Sequence, residues 1–159
     1  MYRKLEDNDS VACINLMMKS YHYNEGYGVG YSNRNEISWI DHLFKHITEV
    51  KAENMHYFTM GSFTPEGDLK GFFLASTFRN YYTGLWTMDV KDCIVDHDLN
   101  TAFMVAKFFD KMMEHMKEYG FTDWRADSVR AFEDSKGYAE FLQSKYNATI
   151  SHSMRGRLS

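Results

Sequence analysis

The chain has 159 residues, of which 44% are hydrophobic and 16% aromatic, and a formal net charge of −4 at pH 7. This length predicts a single domain, residues 1–159, with enough apolar surface to form a core. The acidic balance, without a run of basic residues, argues against general binding to nucleic acid or to membrane surfaces. No stretch approaches the roughly 20 apolar residues that a membrane span needs.

The cysteines and the N-terminus indicate the compartment. Cys13 and Cys93 are the two cysteines, and they lie far apart, as expected of reduced thiols rather than of a disulfide. Charged residues begin at Arg3, without the apolar segment of a secretion signal. We therefore expect a cytoplasmic protein.

The first third of the chain predicts a strand, two helices and a loop between them. The strand covers residues 2–5, and a helix follows residues 7–9, whose side chains can cap it. Residues 21–32 interleave glycines with tyrosines and form either a flexible connection with aromatic packing or a loop that faces a substrate. A second amphipathic helix covers residues 36–50.

Two histidines on the second helix raise the question of a metal site. His42 and His46 are four residues apart and share one face of the predicted helix. Zinc can be bound by histidines at this spacing, but no carboxylate motif of the metalloprotease type surrounds them. Solvated histidines explain the pattern more simply, so we predict no metal.

The middle of the chain predicts an antiparallel meander of three strands. The strands cover residues 55–63, 69–79 and 85–95, and residues 64–68 and 80–84 form the tight turns between them. In the third strand the apolar residues alternate and then change face. Asp92 occupies an apolar position of the first register. A β-bulge near Lys91 or Asp92 explains this change, and the alternative is that Asp92 faces solvent or caps a local group.

A long amphipathic helix follows the meander. Its apolar residues recur at steps of three and four: Met104, Val105, Phe108, Phe109, Met112, Met113 and Met116. Gly120 stands where a left-handed residue ends many helices, and Asp98 and Asn100 can cap the start. We then expect a strand at residues 121–126, a helix at 135–146 and a strand at 149–158, which gives an α/β (α+β) fold.

This order of elements resembles the GNAT N-acetyltransferase superfamily over nearly the whole chain. Residues 2–5 with Asp9 are similar to the usual start of that family, and residues 95–105 lie where it carries its acyl-CoA signature. Phe141 and residues 154–158 match its last helix and strand. The resemblance implies a mixed, mostly antiparallel central sheet flanked by about four helices.

The resemblance also implies a binding site for acetyl-CoA. Its residues would be Cys93, Ile94, Val95, Asn100, Thr101, Ala102, Phe103, Met104 and Val105. The sequence departs from the family in this loop, because Asn100 stands where the family has Arg or Gln, and Thr101, Phe103 and Val105 stand where small residues are expected. Such side chains would obstruct the approach of a pyrophosphate to the backbone.

The reaction implied is direct transfer of an acetyl group to an amine of a small molecule or a protein. Asp89 or Asp92 would be the base that takes the proton of the amine, although Asp89 is also explained as an outward residue of a strand. Leu142 replaces the tyrosine that serves as the acid in the family, and Tyr138 is our candidate in its place, with Tyr146 as a further substitute. Cys93 is explained best as a small buried thiol.

A second hypothesis is a GNAT-fold protein that has lost CoA binding and serves in a larger assembly or a virus particle. It predicts protein partners or self-association through an exposed aromatic patch, over residues 21–31 for instance. An enzyme predicts instead an open cleft between the strands that end at Val95 and Ala126. Both hypotheses remain open from the sequence.

Overall fold

A five-stranded sheet is the frame on which the described helices pack. The computed structural model of the protein describes residues 1–23, 56–96, 101–126 and 135–149. The predicted helix at 36–50 lies outside these ranges, as do residues 24–32 of the predicted loop and residues 150–158 of the last predicted strand. In chain order the elements are β1 (Tyr2–Arg3), α1 (Ser10–Tyr23), β2 (Tyr57–Phe63), β3 (Leu69–Arg79), β4 (Trp86–Val95), α2 (Thr101–Tyr119), β5 (Asp123–Ala126) and α3 (Ser135–Tyr146).

The sheet is mixed and mostly antiparallel, as predicted. The strands lie in the order β1-β2-β3-β4-β5, and each of the first three pairs with the next in antiparallel orientation. The pairing of β4 with β5 is parallel, which requires a long connection between them, and α2 provides it. The predicted meander of β2, β3 and β4 is confirmed.

Strand ends differ from the prediction by a few residues. β1 ends at Arg3 rather than at Leu5, but Leu5 is buried in the core just beyond it. Phe121 does not start β5, because its N–H donates to the carbonyl oxygen of Met116 and so closes the end of α2. Gly120 between them has φ of +76°, which confirms the predicted left-handed helix end.

Two apolar clusters cover the two faces of the sheet. Among the described residues, the cluster between α2 and the sheet consists of Phe58, Phe73, Ala75, Met88, Val90, Cys93, Val95, Met104, Val105, Phe108, Phe109, Met112, Met116 and Leu142. The opposite face, under α1, buries Leu5, Cys13, Leu16, Met17, Phe63, Phe72, Leu74 and Ile94. Alternate residues of β3 and β4 supply both clusters, which is the period-two pattern of a strand buried on two sides.

The apolar stripe predicted for α2 is the stripe that packs. Six of its residues are fully or nearly buried: Met104, Val105, Phe108, Phe109, Met112 and Met116. No helix in the described ranges is long and apolar enough to cross a membrane.

Candidate active site

A bulge in β4 is the first feature of the candidate site. Val90 pairs with Ala75, whereas Asp92 pairs with Leu74, so Lys91 is the extra residue of β4. The predicted bulge is therefore confirmed. It explains why Val90 and Cys93 both point to the core under α2 although they are three residues apart.

Beyond the bulge, the hydrogen-bond ladder fixes the direction of each N–H group of β4. The N–H of Asp96 donates to the carbonyl oxygen of Lys70 at 2.8 Å, and hydrogen-bonded pairs alternate along an antiparallel ladder. Ile94, two residues earlier, therefore also directs its N–H to β3. Cys93 and Val95 direct their N–H groups to the opposite edge of β4, where β5 lies.

The described pairing of β4 with β5 is short. It runs through four residue pairs, Thr87↔Asp123, Met88↔Trp124, Asp89↔Arg125 and Val90↔Ala126. β4 continues from the bulge to Val95 beyond the last of these pairs. The strands that end at Val95 and Ala126 are thus neighbours, as the sequence predicts, and the edge N–H groups of β4 lie past the described end of β5.

Asp89 is buried, so the explanation of Asp89 as an outward strand residue is wrong. The residue is 2% exposed, and its carboxylate lies on the face of the sheet opposite α2. Arg125 of β5 donates from Nε to Oδ1 at 3.0 Å and from Nη2 to Oδ2 at 3.3 Å. The ammonium of Lys91 also donates to Oδ2. Burial of this carboxylate is tolerated because cations on both sides compensate its charge.

Asp92 and the cysteines lie close enough to influence each other. Asp92 is half-buried, on the same side of the sheet as α1. Burial, and secondarily the charge of Asp92, raises the pKa of the Cys93 thiol, and burial also raises the pKa of Cys13. A neutral thiol inside the core is a poor nucleophile, which agrees with the explanation of Cys93 as a buried core residue.

Two further charged residues bound the site, and sequence reasoning did not identify them. Asp96, at the end of β4, is buried and accepts a hydrogen bond from Lys19 of α1 at 2.9 Å, with Lys70 of β3 at 3.8 Å. Arg125 is the other. Because Arg125 alternates with Trp124 in β5, the sequence could have placed Arg125 on the face away from α2. It could not have identified the partner Asp89, which is 36 residues away along the chain.

The first turn of α2 presents exposed residues. Ala102 and Phe103 are exposed, Phe103 by 57%, and the ammonium of Lys107 lies 5.5 Å from the Phe103 ring centroid. Met104 and Val105 are buried in the core under α2. The expectation that the Val105 side chain obstructs the cofactor loop is therefore wrong, since that side chain faces the sheet. Asn100 lies outside the described residues.

The candidate acids lie on α3. The backbone of Tyr138 is in the helix, but its side chain lies outside the described part of the structure, and Leu142 is buried in the core. The hydroxyl of Tyr146 donates to the carbonyl oxygen of Ala106 (3.1 Å) or to Oδ1 of Asp110 (2.9 Å). Burial first, and then Asp110, raises the pKa of Tyr146, so this tyrosine links α3 to α2 and is a weak proton donor.

Comparison with known proteins gives a match of structure without a match of sequence. No protein-family model matches the chain, and no curated protein does. A ribosomal-protein-alanine N-acetyltransferase from Brucella melitensis biovar Abortus superposes with a TM-score of 0.68 over 99% of both chains at 14% identity. Glucosamine-6-phosphate N-acetyltransferase from Arabidopsis thaliana gives 0.67 over 100% of this chain and 98% of that one at 15% identity.

A third similar structure extends the comparison to another acceptor. The aminoglycoside 6′-N-acetyltransferase AAC(6′)-Ih from Acinetobacter baumannii gives a TM-score of 0.68 at 9% identity, over 100% of this chain and 97% of the other. These matches cover nearly the whole chain, and the mixed, mostly antiparallel sheet is the one that the sequence resemblance implied. The chain has the fold of the GNAT N-acetyltransferases.

Proposed function

We propose that the chain is an N-acetyltransferase that uses acetyl-CoA and acts on an amine. The observation that carries the proposal is the edge of β4 beyond the bulge, where Cys93 and Val95 direct N–H groups past the described end of β5. Fixed N–H donors of this kind stabilise the negative charge that develops on a carbonyl oxygen during acyl transfer.

The residues around this edge fit the cofactor. Acetyl-CoA supplies an activated acetyl thioester, whose carbonyl oxygen would accept from the N–H of Cys93 or Val95. The first turn of α2 lies at the positive end of the helix dipole, which favours a pyrophosphate. Thr101, Ala102 and Phe103 would contact it there, and Asn100 precedes them.

The acid and base roles follow from the surroundings of each side chain. We assign the base to Asp92, because it is half-buried beside the bulge, whereas Asp89 is only 2% exposed and so less accessible to an acceptor. Asp92 would take a proton from the acceptor ammonium, whose nitrogen forms the new C–N bond as the thioester C–S bond breaks. Tyr138 would give its proton to the departing thiolate.

The acceptor is a primary amine of a small molecule or of a protein. The similar structures are named for acceptors as different as a ribosomal protein, an aminoglycoside and glucosamine 6-phosphate. One fold hosts all three, so the fold supports amine acetylation in general and leaves the choice of acceptor to the surface around the site.

Calorimetric titration with acetyl-CoA tests the proposal. We expect saturable binding to the natural protein, and tighter binding to Phe103→Ala if the Phe103 ring lies over the path of the pyrophosphate. Tyr119→Ala is the matched control, because Tyr119 is an aromatic residue at the other end of α2 and is similarly exposed. Absence of heat for the natural protein and for Phe103→Ala at millimolar ligand would refute acetyl-CoA binding.

A second candidate is an interaction protein on the same fold. The turn between β3 and β4 presents Tyr81 and Tyr82, which are 93% and 94% exposed, with ring centroids 5.5 Å apart. Asn80 orders this turn, since its Oδ1 accepts from the N–H groups of Tyr82 at 2.9 Å and Thr83 at 3.3 Å. An ordered turn with two exposed aromatic rings favours contact with another protein. This candidate gains support if the titration shows no binding.

A further inference from the structure

One buried carboxylate joins the two features that define the proposed site. Asp89 lies in β4 directly before Val90 and the bulge residue Lys91. Its oxygens accept hydrogen bonds from the ammonium of Lys91 and from the guanidinium of Arg125. Arg125 is its partner in the parallel pairing of β4 with β5, one pair before the described pairing ends. A single side chain therefore contacts the bulge and the neighbouring strand at once.

A third strand completes this arrangement. The guanidinium carbon of Arg125 lies 4.3 Å from the centroid of the Phe78 ring on β3, a favourable position for a cation over an aromatic face. Phe78 pairs with Thr87 of β4, two residues before Asp89. The contacts of Asp89 and Arg125 thus connect β3, β4 and β5 on the face opposite α2, at the level just before the bulge.

We propose that Asp89 is a positioning residue whose contacts with Lys91 and Arg125 hold the bulged part of β4 in place beside β5. This inference rests on the proposed function, in which the N–H groups of Cys93 and Val95 donate to the carbonyl oxygen of an acetyl group. Asp89 does not touch the reacting atoms in this scheme. It holds the backbone that carries the two donors.

The charge of Asp89, and not its shape alone, is required for this role. Without the carboxylate, Lys91 and Arg125 would face each other as like charges, and each partly exposed side chain would move further into water. Lys91 would carry the bulge backbone with it. A hydrogen bond weakens steeply when its angle departs from linear, so a small rotation at the bulge would reduce donation by Cys93 and Val95.

Hydrogen exchange measured without ligand tests the positioning role. We compare Asp89→Asn, Arg125→Gln and the double variant with the natural protein. If the pair holds β4 to β5, both single variants accelerate amide exchange about tenfold in residues 86–96 and 123–126, and leave residues 57–63 of β2 unchanged. The double variant should be no faster than either single one, since both remove the same contact.

The matched control removes an ion pair of the same charge types elsewhere. Lys111 and Glu114 form an exposed pair on α2 at 2.7 Å. Lys111→Gln and Glu114→Gln should leave exchange in residues 86–96 and 123–126 at the natural rate, because exposed pairs of this kind contribute little.

The ratio of the Kd for CoA to the Kd for acetyl-CoA tests the consequence for the site. A donor aimed at the acetyl oxygen favours acetyl-CoA over CoA, so the natural protein should show a ratio above one. The Asp89→Asn and Arg125→Gln variants should bring that ratio toward one while the Kd for CoA changes less than threefold. General destabilisation would weaken both ligands equally and would not change the ratio.

The outcomes separate this inference from the proposed function. Unchanged exchange in residues 123–126 of Asp89→Asn, or equal acceleration in β2, would overturn the positioning role. If the natural protein binds neither ligand, the proposed function fails, while a selective rise in exchange still supports Asp89 as the residue that fixes the strand edge. Full loss of acetyl-CoA preference in Asp89→Asn but not in Arg125→Gln would contradict a shared contact.

Discussion

The hydroxyl of Tyr146 lies 2.9 Å from Oδ1 of Asp110, and this contact connects the last turn of α3 to the first half of α2. The Tyr146 ring packs against Phe109 and Trp124, with centroid distances of 5.5 Å and 6.4 Å. A tyrosine that the sequence offered as a substitute acid is therefore a structural link between two helices on the same face of the sheet.

Replacing Tyr146 by Phe should lower the free energy of unfolding by about 1–2 kcal/mol, because a half-buried hydrogen bond to a carboxylate is lost while the ring remains. Urea unfolding monitored by tryptophan fluorescence measures the change. Tyr119→Phe is the control, since Tyr119 is exposed on α2. Equal stability of Tyr146→Phe and the natural protein would show that the contact contributes nothing.

Tyr146 should also make the stability of the protein depend on pH in the alkaline range. Burial raises the folded-state pKa of Tyr146 above the unfolded value of about 10. Its contribution to stability is thus full below pH 10 and is lost as pH rises through the folded-state pKa. The stability difference between the natural protein and Tyr146→Phe should shrink above pH 10, and a difference that grows there would contradict this sign.

His115 should make the stability of the protein decrease at acidic pH. Burial first, and then the nearby His56, lowers the pKa of His115, and its Nε2 has no hydrogen-bond partner among the described residues. Glu118 acts against this effect, and Lys4 adds to it. The neutral imidazole is favoured in the folded state, so stability is full above about pH 6.5 and falls as pH decreases toward the lowered pKa.

Thermal unfolding of His115→Phe checks this dependence. Phenylalanine keeps a ring beside Phe58 and Tyr119, whose centroids lie 5.4 Å and 4.6 Å from that of His115, and removes the titrating group. The Tm of the natural protein should drop more than that of His115→Phe between pH 7.5 and pH 5. Parallel decreases in the two proteins would show that other groups cause the loss.

Cys13 and Cys93 should be unreactive in the folded protein. Burial raises the pKa of both thiols, and the thiolate is the reactive form. A colourimetric thiol reagent should therefore detect neither cysteine in buffer and both after unfolding in urea. Rapid reaction of one thiol before unfolding would reopen a nucleophilic role for Cys93.

The sequence predicted the features that depend on neighbours along the chain. The change of apolar register at Asp92 indicated the bulge at Lys91, and the position of Gly120 indicated the end of α2. The predicted bounds of β3 and of α3 agree with the structure. The start of β3 could be predicted because a turn with Pro65 and Gly67 precedes it. These signals are local, and residues within a few positions determine them.

The sequence could not show contacts between distant residues. Asp89 alternates with apolar residues in the sequence, and this pattern predicts an outward side chain. In the structure Asp89 is buried, because Arg125 from another strand compensates its charge. Val105 stands in a position where the family has a small residue, yet its side chain faces the core. Such outcomes depend on which elements meet in space, and no local pattern records that.

The backbone donors of β4 are the central feature of the proposed site, and amide NMR of the 15N-labelled protein examines them directly. On titration with acetyl-CoA, the N–H resonances of Cys93 and Val95 should shift more than that of Ile94, whose N–H is directed to β3, and CoA should shift them less. Saturation of acetyl-CoA binding with the Cys93 and Val95 resonances unmoved would contradict the site.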